Sequence, residues 1–267
     1  MSKRSFIKWV GGKYRSIFQL TDLFPTEFKN YYEPFMGSAV MFFNTKPHSA
    51  VLNDLEYNLV RTFRSVKREV DSVISELESY NNDAESYYSI RDDFNSSPDV
   101  VPGRKAAQFI YLNKCGYNGL YRVNKKGHFN ASYGKRVGSP HKDFLNLKEC
   151  SKALQRATVM NGDYKDVIDG SRGGDFVYLD PPYHKETEAS FVGYNVKEFS
   201  ERDHERLAFE CSLLDKRGVM FALSNSNTDF IINLYKKYNI SPIYTARTVS
   251  CDVKVRSQAK EILITNY

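Results

Sequence analysis

Two hydrophobic patterns alternate along the chain. Short, nearly unbroken apolar or aromatic runs occur at Tyr31–Tyr32, Ala50–Leu52, 157–160, 176–179 and 219–223. Runs of this length without polar alternation predict strands buried on both faces, as in a parallel sheet. The first two end in Glu33-Pro34 and Asn53-Asp54, where loops begin. Between the runs, Val66, Val70, Val73, Ile74 and Leu77 recur at helical spacing, and His204 to Lys216 predicts a helix stopped by Arg217-Gly218. Strand and helix alternate before about residue 57 and again after about residue 145, while the stretch between is helical and then loop-rich. The pattern predicts an open, mostly parallel α/β sheet with one insertion, and such sheets bind ligands at the carboxyl ends of their strands near the switch in strand order.

Composition narrows the class. The chain has 267 residues, 41% of them apolar, enough for a sizeable core. No stretch is apolar enough to span a bilayer, and MSKRSFIKWV lacks a signal-peptide core, so a soluble, cytoplasmic protein without membrane association is expected. Cys115, Cys150, Cys211 and Cys251 form no CxxC pair, which argues against a zinc cluster or redox motif. The net charge of +6 is localised. Residues 101–144 hold nine Lys/Arg against Asp143 alone, while the remainder has 29 basic and 31 acidic residues. In this basic segment Tyr111, Tyr117, Tyr121, Phe129 and Tyr133 alternate with cations and glycines. A solvated surface accounts for the charge; a phosphate backbone with stackable bases accounts for the aromatics as well.

Two short motifs carry chemistry. In FIKWVGGKYRS, residues 6–16, two glycines precede Lys13, but Ile7 stands where a phosphate loop needs glycine and Tyr14 where it needs a Ser/Thr hydroxyl for magnesium, which argues against a nucleoside-triphosphate site. Asp180-Pro181-Pro182-Tyr183 directly follows the run 176–179. The two prolines remove two backbone donors and hold the chain extended, which leaves the Pro181 carbonyl without a regular partner. A carboxylate, a free carbonyl and an aromatic ring together offer two acceptors for an amino group and a flat face for a planar base. A proline-stiffened strand exit with a turn-capping Asp is the purely structural alternative.

KWVGGK at 8–13, Glu33-Pro34-Phe35-Met36-Gly37 and the DPPY tetrapeptide, in that order, resemble the DNA adenine methyltransferases of the Dam family, alpha group. GYNGLYRVN at 116–124 and FNASYGK at 129–135 are similar to that family's DNA-recognition region, and the similarity runs from residue 4 to about 265. The resemblance implies a Rossmann-like S-adenosylmethionine-dependent methyltransferase sheet built from residues 1–56 and 146–267. It also implies a mainly helical target-recognition domain inserted at 57–145. The implied reaction is methyl transfer from S-adenosylmethionine to the 6-amino group of an adenine flipped out of double-stranded DNA, within GATC, without a metal and leaving S-adenosylhomocysteine. A monomer is expected.

Site residues follow from the same resemblance. Asp180, Pro181, Pro182 and Tyr183 are the implied catalytic group, Asp180 and the Pro181 carbonyl accepting the amine and Tyr183 stacking on the base. Trp9, Lys13, Phe35, Gly37, Asp54, Asp163, Tyr164 and Asp180 are implied for the cofactor, with Asp54 on the ribose hydroxyls and Phe35 and Tyr164 flanking the adenine ring. Lys8, Tyr117, Asn118, Leu120, Arg122, Lys125, Ser132 and Lys135 are implied for DNA. Among these, Arg122 suits a guanine edge, Leu120 a thymine methyl, and Tyr117 and Asn118 the gap left by the flipped base. Two departures stand out: Ala39 replaces the second glycine of the family's glycine turn, and Ser132 stands where relatives often have proline. A loop around 245–260 is expected to close over DNA. Rival readings are a same-fold enzyme acting on RNA or cytosine, and a DNA-binding regulator without catalysis.

Overall fold

The computed structural model describes residues 4–97, 101, 103–185, 199–244 and 261–267. Seven strands form one sheet in the order β3-β2-β1-β4-β5-β7-β6. β1 (Tyr31–Glu33), β2 (Ala50–Asp54), β3 (Ala157–Asn161), β4 (Phe176–Leu179) and β5 (Met220–Ser226) are parallel, and β7 (Glu261–Thr265) runs antiparallel to both β5 and β6 (Asn239–Ile243). Tyr31 of β1 pairs with Ala50 on one side and Phe176 on the other. Strand order therefore reverses between β1 and β4, and the crevice at a switch point opens beyond Glu33 and Leu179.

All five expected parallel strands are present, and the period-two geometry of a strand explains their unbroken apolar runs. Tyr31, Phe176, Tyr178 and Ala222 face one buried cluster, while Tyr32, Val177, Leu179, Phe221 and Leu223 face another. The first cluster is covered by α1 (Ile17–Asp22), α2 (Val40–Thr45), α3 (Tyr57–Ser79) and α5 (Arg104–Cys115); the second by α7 (Tyr164–Gly170), α8 (Glu201–Lys216) and α9 (Asp229–Leu234). Helix α8 starts three residues before the expected His204, because Ser200 and Asp203 form a reciprocal capping box.

Between β2 and β3 the chain runs through α3, α4 (Ala84–Ser96), α5 and α6 (Phe144–Leu154), with a loop-rich stretch and a 3-10 turn at Tyr117–Gly119 after α5. Leu59, Val60 and Phe63 of α3 belong to the same apolar cluster as Ala50 and Leu52 of β2 and Phe109 of α5. The insertion therefore grows out of the sheet's own core. No described helix is long and apolar enough to cross a membrane.

Two buried histidines give this core a pH signature. Burial pulls the imidazoles of His141 and His204 down to about 4. His141 is hydrogen-bonded to the Tyr80 carbonyl, whereas neither ring nitrogen of His204, packed among Phe199, Phe230 and His184, has a partner among the described residues. Unfolding returns each to about 6.5, so between these values the unfolded chain binds more protons. Stability is expected to be full above about pH 6.5 and to fall as pH drops toward 4. His204→Leu should fold and flatten that slope in denaturant titrations run at pH 7 and pH 5; an unaltered slope would show that His204 does not contribute.

Candidate active site and nucleic-acid interface

The end of β4 delivers Asp180 into the crevice, and the N-terminal segment delivers its partner. Lys13 Nζ lies 2.9 Å from Asp180 Oδ1, with the lysine side chain 5% and the aspartate 19% exposed. The glycines of the opening motif make this approach possible. Gly11 sits at φ +81°, which turns the chain back so that Lys13 Nζ also donates to the Gly11 carbonyl at 2.9 Å. The same ammonium lies 4.5 Å from the centre of the Tyr183 ring. Burial raises the Asp180 carboxyl above its usual range and Lys13 opposes that shift. Glu33, at the end of neighbouring β1, accepts from the Tyr31 hydroxyl and the Phe42 amide but has no paired cation among the described residues, and burial pushes it up to about 8. Burial thus raises two carboxyls on adjacent strands, and of the two only Asp180 has a cation, Lys13, among the described residues to oppose the shift.

The proline pair does what its chemistry requires. Pro181 is buried, Pro182 is exposed, and among the described residues no donor is bonded to the Pro181 carbonyl. The exit is fixed one residue later. The His184 amide donates to Asn225 Oδ1, its carbonyl accepts from Ser226 Oγ, its Nδ1 lies 3.0 Å from Thr228 Oγ1, and its ring stacks on Phe230.

Around the crevice, Asp54 Oδ2 accepts the Gly37 amide at 3.0 Å and Oδ1 accepts the Glu56 amide at 3.0 Å. Gly37 packs so closely under Trp9 that an added Cβ would sit 2.8 Å from Trp9 Cδ1, at a φ of +46°. Ala39 is itself left-handed at φ 51°, a conformation that favours glycine, and alanine is accommodated here. Phe35 and Tyr164, the two rings expected to flank an adenine, lie against each other with centroids 5.1 Å apart. Asp163 caps α7 and is held by Arg206 through two hydrogen bonds of 3.0 and 3.2 Å. As a set, an anion at β4, an acceptor at β2, a tight glycine turn and apolar rings fit a nucleoside carrying an amino-acid tail.

The basic segment forms the adjoining face. Tyr117, Asn118, Leu120, Arg122, Lys125, Ser132 and Lys135 are all exposed, and Lys8 is half-buried beside them. Asn118 adopts φ 54°, which an asparagine tolerates, and so projects from the turn. Arg122 donates through Nε and Nη2 to Asn130, which holds one edge of the guanidinium and orients the rest outward. Lys8, Lys114 and Arg136 stand close enough that, after burial, the neighbouring positive charges further lower the Lys8 and Lys114 pKa values. Like charges held together in this way favour a bound polyanion. The expected closing loop at 245–260 lies outside the described residues.

Residues that the sequence did not single out bind these parts together. Asn113, fully buried, accepts the Lys8 amide at 2.9 Å and donates to the carbonyls of Lys8 at 2.8 Å and Gly119 at 3.1 Å. Asn53 donates to the carbonyls of Pro34 and Gly162, tying the loop after β1 to the loop after β3. These contacts join segments far apart in sequence, so no local pattern announces them.

Residues 9–249 match the family described as D12 class N6 adenine-specific DNA methyltransferase. The chain belongs to that family. Among curated relatives of this N6-adenine methyltransferase, the type II methyltransferase M.MjaIII of Methanocaldococcus jannaschii is 38% identical over 289 residues, covering 100% of both chains. Type II methyltransferase M1.LlaDCHI of Lactococcus lactis subsp. cremoris is 34% identical over 99% of this chain and 95% of its own. The DNA adenine methylase of Escherichia coli is 30% identical over 97% of this chain and 94% of its own. An adenine-specific DNA methyltransferase acts on DNA, and the N-terminal segment joins the basic, aromatic face, through Trp9 and Tyr121, to Asp180, through Lys13.

Gly37 offers a direct check of the packing at this methyltransferase's crevice. Trp9 is the sole tryptophan, so tryptophan emission reports the surroundings of this one indole. Gly37→Ala is expected to displace the indole and shift its emission while far-UV circular dichroism stays unchanged; identical emission would contradict the close approach.

Proposed function

We propose that this enzyme transfers the methyl group of S-adenosylmethionine to the 6-amino group of an adenine flipped out of duplex DNA, most readily within GATC. The observation that carries the reading is the buried Lys13–Asp180 ion pair at the carboxyl end of β4, beside a Pro181 carbonyl to which no described residue donates. The residues of the crevice fit the cofactor. Trp9, Gly37 and Phe35 give it apolar cover, Asp54 an acceptor, and Asp163 with Tyr164 the far edge; when bound, it supplies a methyl group already activated by a sulfonium, so no metal is needed.

The chain's own residues act on the acceptor. The adenine amine is a poor nucleophile because its lone pair is delocalised into the ring. Asp180 and the Pro181 carbonyl accept its two N–H bonds, which favours a pyramidal nitrogen and aims the lone pair. As positive charge grows on that nitrogen, the Asp180 anion stabilises it and takes up the proton. Lys13 keeps the carboxylate ionised in a site where burial favours the acid. The base stacks on the Tyr183 face opposite the ammonium. A paired adenine cannot reach this crevice, hence the flipping, with Tyr117 and Asn118 entering the gap. Residues 57–145 serve as the recognition region: Arg122 reads a guanine edge, Leu120 meets a thymine methyl, and Lys8, Lys125, Ser132, Lys135 and neighbouring cations hold the backbone.

The test is labelled S-adenosylmethionine offered with GATC duplexes, single-base variants and single-stranded RNA, followed by identification of the modified base. N6-methyladenine in GATC duplexes alone is expected; equal labelling of every variant would remove the sequence assignment, and labelled cytosine would remove the adenine one. Asp180→Asn should lower turnover by about 10²–10⁴-fold with duplex affinity nearly unchanged. Arg122→Ala should relax discrimination at one guanine by about 1–3 kcal/mol, whereas uniform weakening across sequences would make it a phosphate contact.

A further inference from the structure

A closed ring of contacts joins four chain segments at the boundary between the crevice and the DNA face. Trp9 stacks on Tyr121, with centroids 5.4 Å apart and planes 22° apart. The Tyr121 hydroxyl donates to Glu56 Oε1 at 2.9 Å and accepts from Asn58 Nδ2 at 3.2 Å. Glu56 in turn gives its amide to Asp54, Asp54 holds the amide of Gly37, and Gly37 packs against the Trp9 indole. Three members of this ring, Trp9, Gly37 and Asp54, are residues assigned above to the cofactor.

Tyr121 is the member that belongs to the other surface. It lies between Leu120 and Arg122, both exposed, while its own ring is half-buried against Trp9, Phe109 and Phe129. The chain is extended at Leu120, so successive side chains point to opposite sides. Leu120 and Arg122 face outward to the bases and Tyr121 faces inward to the crevice wall. Duplex that fixes Leu120 and Arg122 therefore also fixes the Tyr121 ring, and with it Glu56 and Trp9. A ligand that orders a shared element lowers the entropic cost for the second ligand, and the benefit is the same in both directions.

We propose that Tyr121 is a positioning residue that couples occupancy of the DNA-reading turn to occupancy of the cofactor crevice, so that duplex DNA and cofactor strengthen each other's binding through the Tyr121–Glu56 hydrogen bond and the Trp9 stack. The proposal rests on the site assignments of the preceding subsection. Tyr121 touches neither reacting group, so its effect is on coupling and not on the chemical step.

The experiment compares the affinity of S-adenosylhomocysteine with and without the duplex that the methylation assay selects, in the wild type and in Tyr121→Phe, which keeps the stack and loses the hydroxyl. The wild type is expected to bind S-adenosylhomocysteine about tenfold more tightly with duplex present. Tyr121→Phe should bring that ratio close to one, with each binary affinity changed less than about threefold on the scale of such couplings. A ratio unchanged in Tyr121→Phe, or a wild-type ratio near one with both binary affinities intact, overturns the coupling and leaves the proposed function standing. Absence of binary binding in the wild type overturns both. Hydrogen exchange on the wild type is independent of any variant: duplex alone should slow the amides of Gly37 and Glu56, and unchanged exchange there contradicts the proposal.

Discussion

A buried aspartate paired with one lysine is the constraint around which this crevice is organised. Removing either member of such a pair leaves an uncompensated charge, a loss of about 3–5 kcal/mol where burial is complete; Asp180 keeps some exposure, so the cost here is lower. To place Lys13 against Asp180, the N-terminal segment must cross the end of the sheet and turn back at Gly11, and Trp9 must stack beside Gly37. Glu33 shows what the crevice does to a carboxyl without a cation: burial holds it protonated up to about pH 8. Of the two strand-end acids, only Asp180 has an ammonium group beside it among the described residues.

That same segment meets the DNA face through its other residues. Lys8 is clamped by Asn113 to the turn at Tyr117–Gly119, and Trp9 lies against Tyr121. Six consecutive residues thus reach from the basic, aromatic face to the Asp180 carboxylate. This joint use explains why the opening motif has the glycines and lysine of a phosphate loop but not its hydroxyl. Its lysine is committed to an acid, and its glycines serve a turn.

Much of the fold was legible because burial on both faces leaves an unmistakable mark: β1, β2, β3, β4 and β5 carry it, and the Asp180 tetrapeptide follows one of them directly. The edge of the sheet was harder. β6 is partly exposed and contains Pro242, which suits an edge position and breaks the apolar pattern. Six-residue helices such as α1 and α2 are too short to show a period. The resemblance named candidate site residues but not their connections. Asn113 and Lys8 are 105 residues apart, and Tyr121 and Glu56 are 65 apart, so only the folded chain shows that they meet. The contact between Phe35 and Tyr164 was equally hidden, since spacing cannot tell two rings that touch from two rings that hold a third between them.

The central claim is that Lys13 sets the ionisation of Asp180, and the most direct measurement is the carboxyl titration of Asp180 followed by carbon-13 NMR in the wild type and in Lys13→Met. Burial raises this carboxyl and Lys13 lowers it. Lys13→Met should therefore titrate at clearly higher pH than the wild type, with the acid limb of kcat/KM moving up by the same amount. Superimposable titrations in the two proteins would contradict the account.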